Sequence, residues 1–145
     1  MYETSTNPSI GFAGVAEQAG VCLEAMDRLR AHAALRNCLE RLVAGVFQVD
    51  ETLLSQPTRG RADIARARQV AMYLAHTVFE LSLTETGLAF NRDRTTVSHA
   101  CLVVEDGRDD PAFDRAIEIM ERSARILQVQ ALQAVQGETA KGDTA

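Results

Sequence analysis

Residues 82–107 read SLTETGLAFNRDRTTVSHACLVVEDG, and they contain the strongest structural signal in the chain. Two short segments with the apolar spacing of helices flank the polar tripeptide Asn91-Arg92-Asp93. Asn tolerates left-handed backbone and Asp favours the start of a helix, so the chain can end one helix and begin the next within three residues. The stretch therefore predicts a helix-turn-helix, in which Thr84 caps the first helix and Gly107 ends the second.

The second helix of this motif has an apolar face and a polar face. Its apolar residues recur at i, i+3, i+4 and i+7, the spacing of a face that packs on a core: Val97, Ala100, Cys101 and Val104. The N-terminal end of the other face carries hydroxyl, imidazole and guanidinium groups: Arg94, Thr95, Thr96, Ser98 and His99. Such groups reach base edges and phosphates in a major groove, so this face is a candidate DNA contact.

The run Arg92-Asp93-Arg94-Thr95-Thr96-Val97-Ser98-His99-Ala100 resembles the signature of a known family, the C-terminal DNA-binding domain of the bacterial chromosomal replication initiator, DnaA. That signature typically reads Arg-Asp-His-Thr-Thr-Val, one variable residue, and His-Ala. Residues 66–74 resemble the family's basic loop and the helix after it, and residues 83–90 resemble its first helix-turn-helix element. The resemblance extends from about residue 37 to about residue 127. It implies an all-α fold, a helix-turn-helix bundle of the DnaA domain IV or Trp-repressor type, with an extra N-terminal helix and a long C-terminal helix.

The resemblance also implies a role for each site residue. Arg66 would enter the minor groove, Arg68 would bind a backbone phosphate, and Arg59 and Arg61 would supply the rest of the basic loop. Asp93 would accept a hydrogen bond from a base amino group, and Thr95 would offer its methyl group to thymine. Phosphate would be held by Thr96, Arg92 and the helix N-terminus, with Ser98 and a partly buried His99 supporting at the edge and Thr84 flanking the groove.

Four departures from the family pattern bear on the DNA sequence preference. Arg94 replaces the family's His, and a guanidinium prefers guanine or a phosphate. The turn is one residue shorter than the usual Gly-Gly-Arg-Asp, and Thr84 replaces a Pro. Leu102 and Val103 stand where the family usually has cationic residues, which weakens the grip on phosphate and suggests a surface for a protein partner.

The net charge of −5 argues against a DNA-binding protein, but its distribution reverses the argument. Residues 57–100 hold six arginines against four acidic residues, so the positive charge lies where the motif lies and the acid lies in the flanks. No Gly-rich loop ending in Gly-Lys-Ser/Thr occurs, so we expect no bound nucleotide. No cluster of metal ligands or catalytic groups occurs either, so we expect neither a metal, a cofactor nor an enzyme.

Cysteine content and hydropathy bear on the environment of the protein. The three cysteines, at 22, 38 and 101, are odd in number and lack C-x-x-C spacing, so we interpret them as reduced packing residues. The longest apolar runs are too short for a membrane span, and no signal peptide is visible. We therefore expect a soluble cytoplasmic protein associated with the nucleoid.

Outside the motif, the sequence predicts two further amphipathic helices between polar tails. Residues 1–11 and 137–145 are predicted to be disordered tails, and residues 12–34 a helix that packs on its own domain or pairs with a second chain. Residues 35–136 form the predicted DnaA-like domain, in which a second helix begins at Leu35. The final helix runs from Pro111 to about Gln136, before Gly137. Its apolar residues continue beyond the resemblance and need cover, which favours a homodimer through the terminal helices.

Two functions remain open from the sequence. The first is a sequence-specific regulator that binds double-stranded DNA at DnaA-box-like sites and acts on replication initiation or transcription. The second is a protein-interaction module that keeps the helix-turn-helix for its core and binds a partner near Leu102 and Val103. DNA binding requires Arg66, Arg92 and Thr95 to be exposed on one face.

Overall fold

A computed structural model describes the backbone of residues 12–57 and 61–141, and the side chains of residues 22, 24–57, 61–131, 133 and 137. All regular structure in these ranges is helical: α1 Phe12–Phe47, α2 Glu51–Leu54, α3 Ala62–Thr77, α4 Leu83–Phe90, α5 Arg94–Gly107 and α6 Pro111–Lys141. The all-α fold is therefore confirmed. The predicted tail at 1–11, the end of the other tail at 142–145 and the predicted site residue Arg59 lie outside the described residues.

α3 lies at the centre of the bundle and touches each of the other five helices. Most of its side chains from Ala67 to Ala75 are buried, because α1 and α5 both pack on this helix. α1 contributes Leu39 and Val43 to this core, α5 contributes Val97, Ala100 and Val104, and α6 contributes Phe113, Ile117, Met120 and Ala124. The core thus fixes α5 on α3, with the polar face of α5 turned outward.

Three predicted boundaries are wrong. α1 is one continuous helix, because residues 31–35 (AHAAL) contain no residue that ends a helix. α6 continues through Gly137 to Lys141, since a single glycine weakens a helix by about 1 kcal/mol without ending it. The N-cap of α4 is Ser82 rather than Thr84, because the Ser82 hydroxyl and the Glu85 carboxylate cap each other's backbone N–H groups.

The two longest helices extend past the core. Leu39 is the first core residue of α1 and Ala124 the last core residue of α6. Beyond them, apolar side chains are exposed on both helices: Met26 and Leu29 on α1, and Ile126, Leu127 and Val129 on α6. Cys22 and Cys38 are also exposed and Cys101 is half-buried, so the prediction that all three cysteines are packing residues is wrong for the first two. No helix in the described ranges is long and apolar enough to cross a membrane.

Candidate nucleic-acid interface

The turn between α4 and α5 is tight, and its local interactions explain why. Asn91 ends α4 in the left-handed conformation, with φ 53° and ψ 50°, as the sequence predicts. The Arg92 N–H then donates a hydrogen bond of 2.8 Å to the Gly87 carbonyl. A Cβ atom at Gly87 would lie 2.6 Å from the Arg92 carbonyl oxygen, so only glycine permits this approach. The turn thereby sets the direction in which α5 leaves α4.

The two faces of α5 have the burial that the sequence predicts, with one exception. Val97, Ala100 and Val104 are buried and Cys101 is half-buried. Arg94, Thr95 and Thr96 are exposed at the N-terminal end, and Ser98 is half-buried. His99 is exposed, so the prediction of a partly buried imidazole is wrong: it lies four residues after Thr95 on the outward face of the helix.

A groove of about 960 Å³ runs between α3, the turn and the start of α5. It brings together six of the twelve predicted site residues: Arg68, Arg92, Asp93, Thr95, Thr96 and His99. Seven other residues line the groove, among them Gln69, Leu88 and Asn91, and none of the seven was predicted as a site residue. The available signal was their position, since Leu88 and Asn91 lie four residues and one residue before Arg92, and Gln69 directly follows Arg68 in α3.

Two arginines in the groove bind backbone carbonyls of the segment that precedes the basic loop. Arg68 is 8% exposed, and its guanidinium donates to the carbonyls of Leu53, Leu54 and Gln56 at 2.9–3.1 Å. Burial lowers the pKa of Arg68, and the nearby charge of Arg92 lowers it further. Arg92 is half-buried and donates to the carbonyls of Gln56, at 3.0 Å, and Pro57. Arg68 therefore holds residues 53–56 to α3, a structural role that the resemblance does not imply.

Arg66 lies at the other end of α5. Its guanidinium carbon is 4.2 Å from the centroid of the Phe113 ring, and one of its terminal nitrogens lies close to Gly107. Gly107 follows Thr95 by twelve residues, so Arg66, which lies beside Gly107, is separated from Thr95 by roughly 18 Å along the helix axis. Arg66 and Thr95 are both exposed, so the structure places them at opposite ends of one helix rather than together in the groove.

The remaining predicted residues lie at the margins of this surface. Arg61 is exposed and pairs with Asp63 at 3.4 Å, and Thr84 is exposed in the first turn of α4. Leu102 is 57% exposed on α5, while Val103 is half-buried. Among the described residues, no group of three or more His, Cys, Asp or Glu side chains is arranged to hold a metal ion.

Comparison with known proteins identifies the domain. Residues 38–104 match the family model described as the bacterial DnaA protein helix-turn-helix. These residues are similar to the DnaA helix-turn-helix. The resemblance seen in the signature is thus confirmed, and it includes α3, α4 and the turn as well as most of α5.

Whole relatives and solved structures agree with this identification. The chain is 42% identical over 86 residues to the chromosomal replication initiator protein DnaA of Gluconobacter oxydans, and 37% identical over 89 residues to that of Laribacter hongkongensis. It covers 18% of each relative, against 58% and 60% of its own length. A crystal structure of a DNA replication initiation factor superposes with a TM-score of 0.59 at 30% identity, covering 71% of this chain and 31% of that one. A replication initiator DnaA bound to AMPPCP and single-stranded DNA superposes with a TM-score of 0.55 at 28% identity, covering 81% and 33%.

Proposed function

We propose that this protein is a regulator that binds double-stranded DNA at DnaA-box-like sites and acts on replication initiation or transcription. The observation that carries the proposal is the exposed N-terminal end of α5, where Arg94, Thr95 and Thr96 project from a DnaA-type helix-turn-helix beside Arg92. A recognition helix presents the side chains of this end to base edges in the major groove. Residues 57–100 carry a net positive charge although the whole chain is acidic, because six arginines there stand against four acidic residues.

Each exposed group has a defined part in this proposal. Thr95 contacts a thymine methyl group, Asp93 accepts from a base amino group, and Thr96 with the α5 N-terminus holds a phosphate. Arg94 stands where the family has His, and a guanidinium prefers guanine. The preferred base therefore changes at one position, with a change of roughly 1–3 kcal/mol in the binding free energy at that base pair. Arg59, Arg61 and Arg66 contact the backbone or the minor groove beside it, while Ser98 and His99 support at the edge and Thr84 flanks the groove. Arg68 holds the backbone of residues 53–56 and thereby positions the start of the basic loop.

Fluorescence anisotropy tests the proposal with a duplex that carries a DnaA box and a scrambled duplex, each at two salt concentrations. We expect tighter binding to the box, a loss of discrimination in Thr95→Ala, and a loss of affinity in Arg66→Ala on both duplexes. Each lost phosphate contact lowers the salt slope by about 0.9. Arg122→Ala, at an exposed position of α6, removes the same charge outside the proposed surface and is the matched control. Equal binding to both duplexes would show a backbone binder, and no binding at low salt would reject the proposal.

We also infer that the protein forms a homodimer through the projecting parts of α1 and α6. Leu29 and Ile126 are each 59% exposed, and each lies with other exposed apolar residues on the part of its helix that extends beyond the core. Light scattering after size-exclusion chromatography should give the mass of two chains, and Leu29→Lys should give the mass of one. Ala31→Lys adds the same charge to an exposed position on the opposite side of α1 and should leave the dimer intact. A dimer that survives Leu29→Lys would contradict the inference.

A second candidate function is a protein-interaction module, which the exposed Leu102 supports. In this second function, Leu102 on α5 binds a protein partner, and the acidic flanks of the chain favour a partner that carries positive charge. A protein that binds no DNA at low salt, with its fold intact, would favour this function over the first.

A further inference from the structure

The outward face of α5 has an apolar residue to which the proposed DNA contacts assign no role. Thr95, His99 and Leu102 follow one another at steps of four and three residues, so they form one stripe on the helix. All three are exposed. Leu102 is 57% exposed and lies outside the buried face of α5. An apolar side chain in this polar stripe is available to a partner with apolar chemistry.

The spacing of this stripe matches the reach of a recognition helix. Positions 95, 98, 99 and 102 lie within eight consecutive residues, and helices that lie in a major groove contact bases through side chains at this spacing. Leu102 lies roughly 10 Å beyond Thr95 along the axis, which corresponds to about three base-pair steps. It therefore remains within the groove when Thr95 contacts a base.

The charge of the last turn limits where the duplex can lie. Glu105 and Asp106 are exposed, and Asp106 continues the same stripe four residues after Leu102. Carboxylates repel the phosphate backbone, so the part of this stripe that contacts the duplex runs from Thr95 to Leu102 and does not include Asp106. Leu102 is then the last side chain of the stripe that faces bases.

We propose that Leu102 is a specificity-determining residue that contacts the C5-methyl group of a thymine. This methyl group is the apolar feature that a base pair presents in the major groove, and aliphatic side chains are its partners. The inference rests on the proposed function, since it requires the protein to bind duplex DNA through α5. It adds a second thymine to the preferred site, about three base pairs from the one that Thr95 contacts.

Replacing thymine by deoxyuridine tests the contact, because uracil lacks only the methyl group. Each thymine of the preferred duplex is replaced in turn, and affinities are measured for the wild type and for Leu102→Ala. At one thymine, uracil should weaken wild-type binding about three- to fourfold and should have no effect on Leu102→Ala. A separate thymine should respond to Thr95→Ser, which keeps the hydroxyl and removes only the methyl group of that side chain.

Leu102→Lys separates a base contact from a phosphate contact. If Leu102 faces bases, the lysine variant loses the thymine preference without gaining affinity for a scrambled duplex. If Leu102 faces the backbone instead, the lysine variant binds every duplex more tightly and Leu102→Ala keeps the full uracil profile, which would overturn the proposal. A wild type that discriminates the box but has the same uracil profile as Leu102→Ala rejects this inference alone. A wild type that binds no DNA rejects both this inference and the proposed function.

Discussion

Individual residues control the orientation of α5 through the backbone rather than through their chemistry at the DNA. Gly87 allows the Arg92 carbonyl to approach α4, and Asn91 takes the left-handed conformation that redirects the chain. Left-handed backbone costs most residues roughly 1–2 kcal/mol, but less for Asn, whose short side chain tolerates it. The position of every predicted base contact therefore depends on two residues that need not touch DNA.

Gly87→Ala tests how closely the turn is packed. Alanine favours a helix over glycine by about 1 kcal/mol, but its Cβ would lie 2.6 Å from a backbone oxygen, so the turn must move. We expect a net loss of about 1–3 kcal/mol in the free energy of unfolding, measured with urea. Gly45→Ala is the control: a Cβ there meets nothing within 4 Å, so the same change should stabilise α1 by about 0.5–1 kcal/mol. Equal effects at the two sites would contradict the close approach.

Asn91 gives a second prediction, on backbone conformation alone. Asn91→Gly should leave the free energy of unfolding within about 0.5 kcal/mol of the wild type, since glycine adopts a φ of 53° without strain. Asn91→Val should cost about 1–2 kcal/mol, because a β-branched side chain disfavours this conformation. Thermal unfolding of both variants measures the difference, and a valine variant as stable as the glycine variant would rule out a left-handed Asn91.

Among the elements, the junction of α5 and α6 is held by a polar network around Arg108. Its guanidinium donates to Asp114 at 2.6 Å, to Glu121 at 2.8 Å and to the Tyr73 hydroxyl at 3.1 Å. The hydrogen bond with Asp114 raises the pKa of Arg108 above its ordinary value, so the group stays charged throughout the accessible range. The network joins α3, α5 and α6, and it fixes the angle at which the long α6 leaves the domain.

Arg108→Met should destabilise this junction. The change leaves two partly buried carboxylates without their cation, and we expect a loss of roughly 1–3 kcal/mol in the free energy of unfolding. Arg41→Met is the matched control, because Arg41 pairs with Glu51 at 3.2 Å on a side chain that is 76% exposed. An exposed pair contributes about 0–1 kcal/mol, so this variant should unfold almost like the wild type. Equal losses from the two variants would show that the Arg108 network contributes no more to the free energy of unfolding than an exposed ion pair.

For the whole molecule, local sequence signals predicted the helix-turn-helix well and the helix ends less well. The Asn91 turn and the core stripe of α5 depend on neighbouring residues, so the sequence contains their cause. The joint at residue 34 and the end of α6 depend on whether a helix continues past a weak residue, which local propensity decides poorly. The capping box at Ser82 was missed because Thr84 is an equally good cap by residue type.

The functional surface was predicted in part, for a physical reason. Exposure of Thr95, Thr96 and Leu102 follows from the 3.6-residue period, which the sequence contains. The burial of Arg68 and the stacking of Arg66 on Phe113 do not, because each depends on a distant segment reaching the side chain: residues 53–56 in the first case and α6 in the second. Arginines of one basic run thus take different roles that no local pattern separates.

The stability of the whole molecule should depend on pH through a buried carboxylate that joins α1 to α2. Glu40 is 3% exposed and accepts a hydrogen bond of 3.1 Å from Ser55. Burial raises the pKa of Glu40 above its ordinary 4.5, although Ser55 and Arg36 oppose the shift. Between 4.5 and the folded pKa the unfolded chain has released a proton that the folded chain keeps, so this group's contribution to stability falls as pH rises. Glu40→Gln stays neutral, so its stability relative to the wild type should increase from about pH 4 to pH 7 in urea unfolding.

Glu85→Gln should give the opposite slope and serves as the control. The backbone hydrogen bond from Ser82 lowers the pKa of Glu85, so its contribution is full above the ordinary value and is lost as pH falls through the folded pKa. The Glu85→Gln variant should therefore be less stable than the wild type at neutral pH and approach it on acidification. If the stability of Glu40→Gln instead follows that of the wild type at every pH, the groups around Glu40 offset the effect of burial completely. The pKa of Glu40 would then be the same in the folded and the unfolded protein.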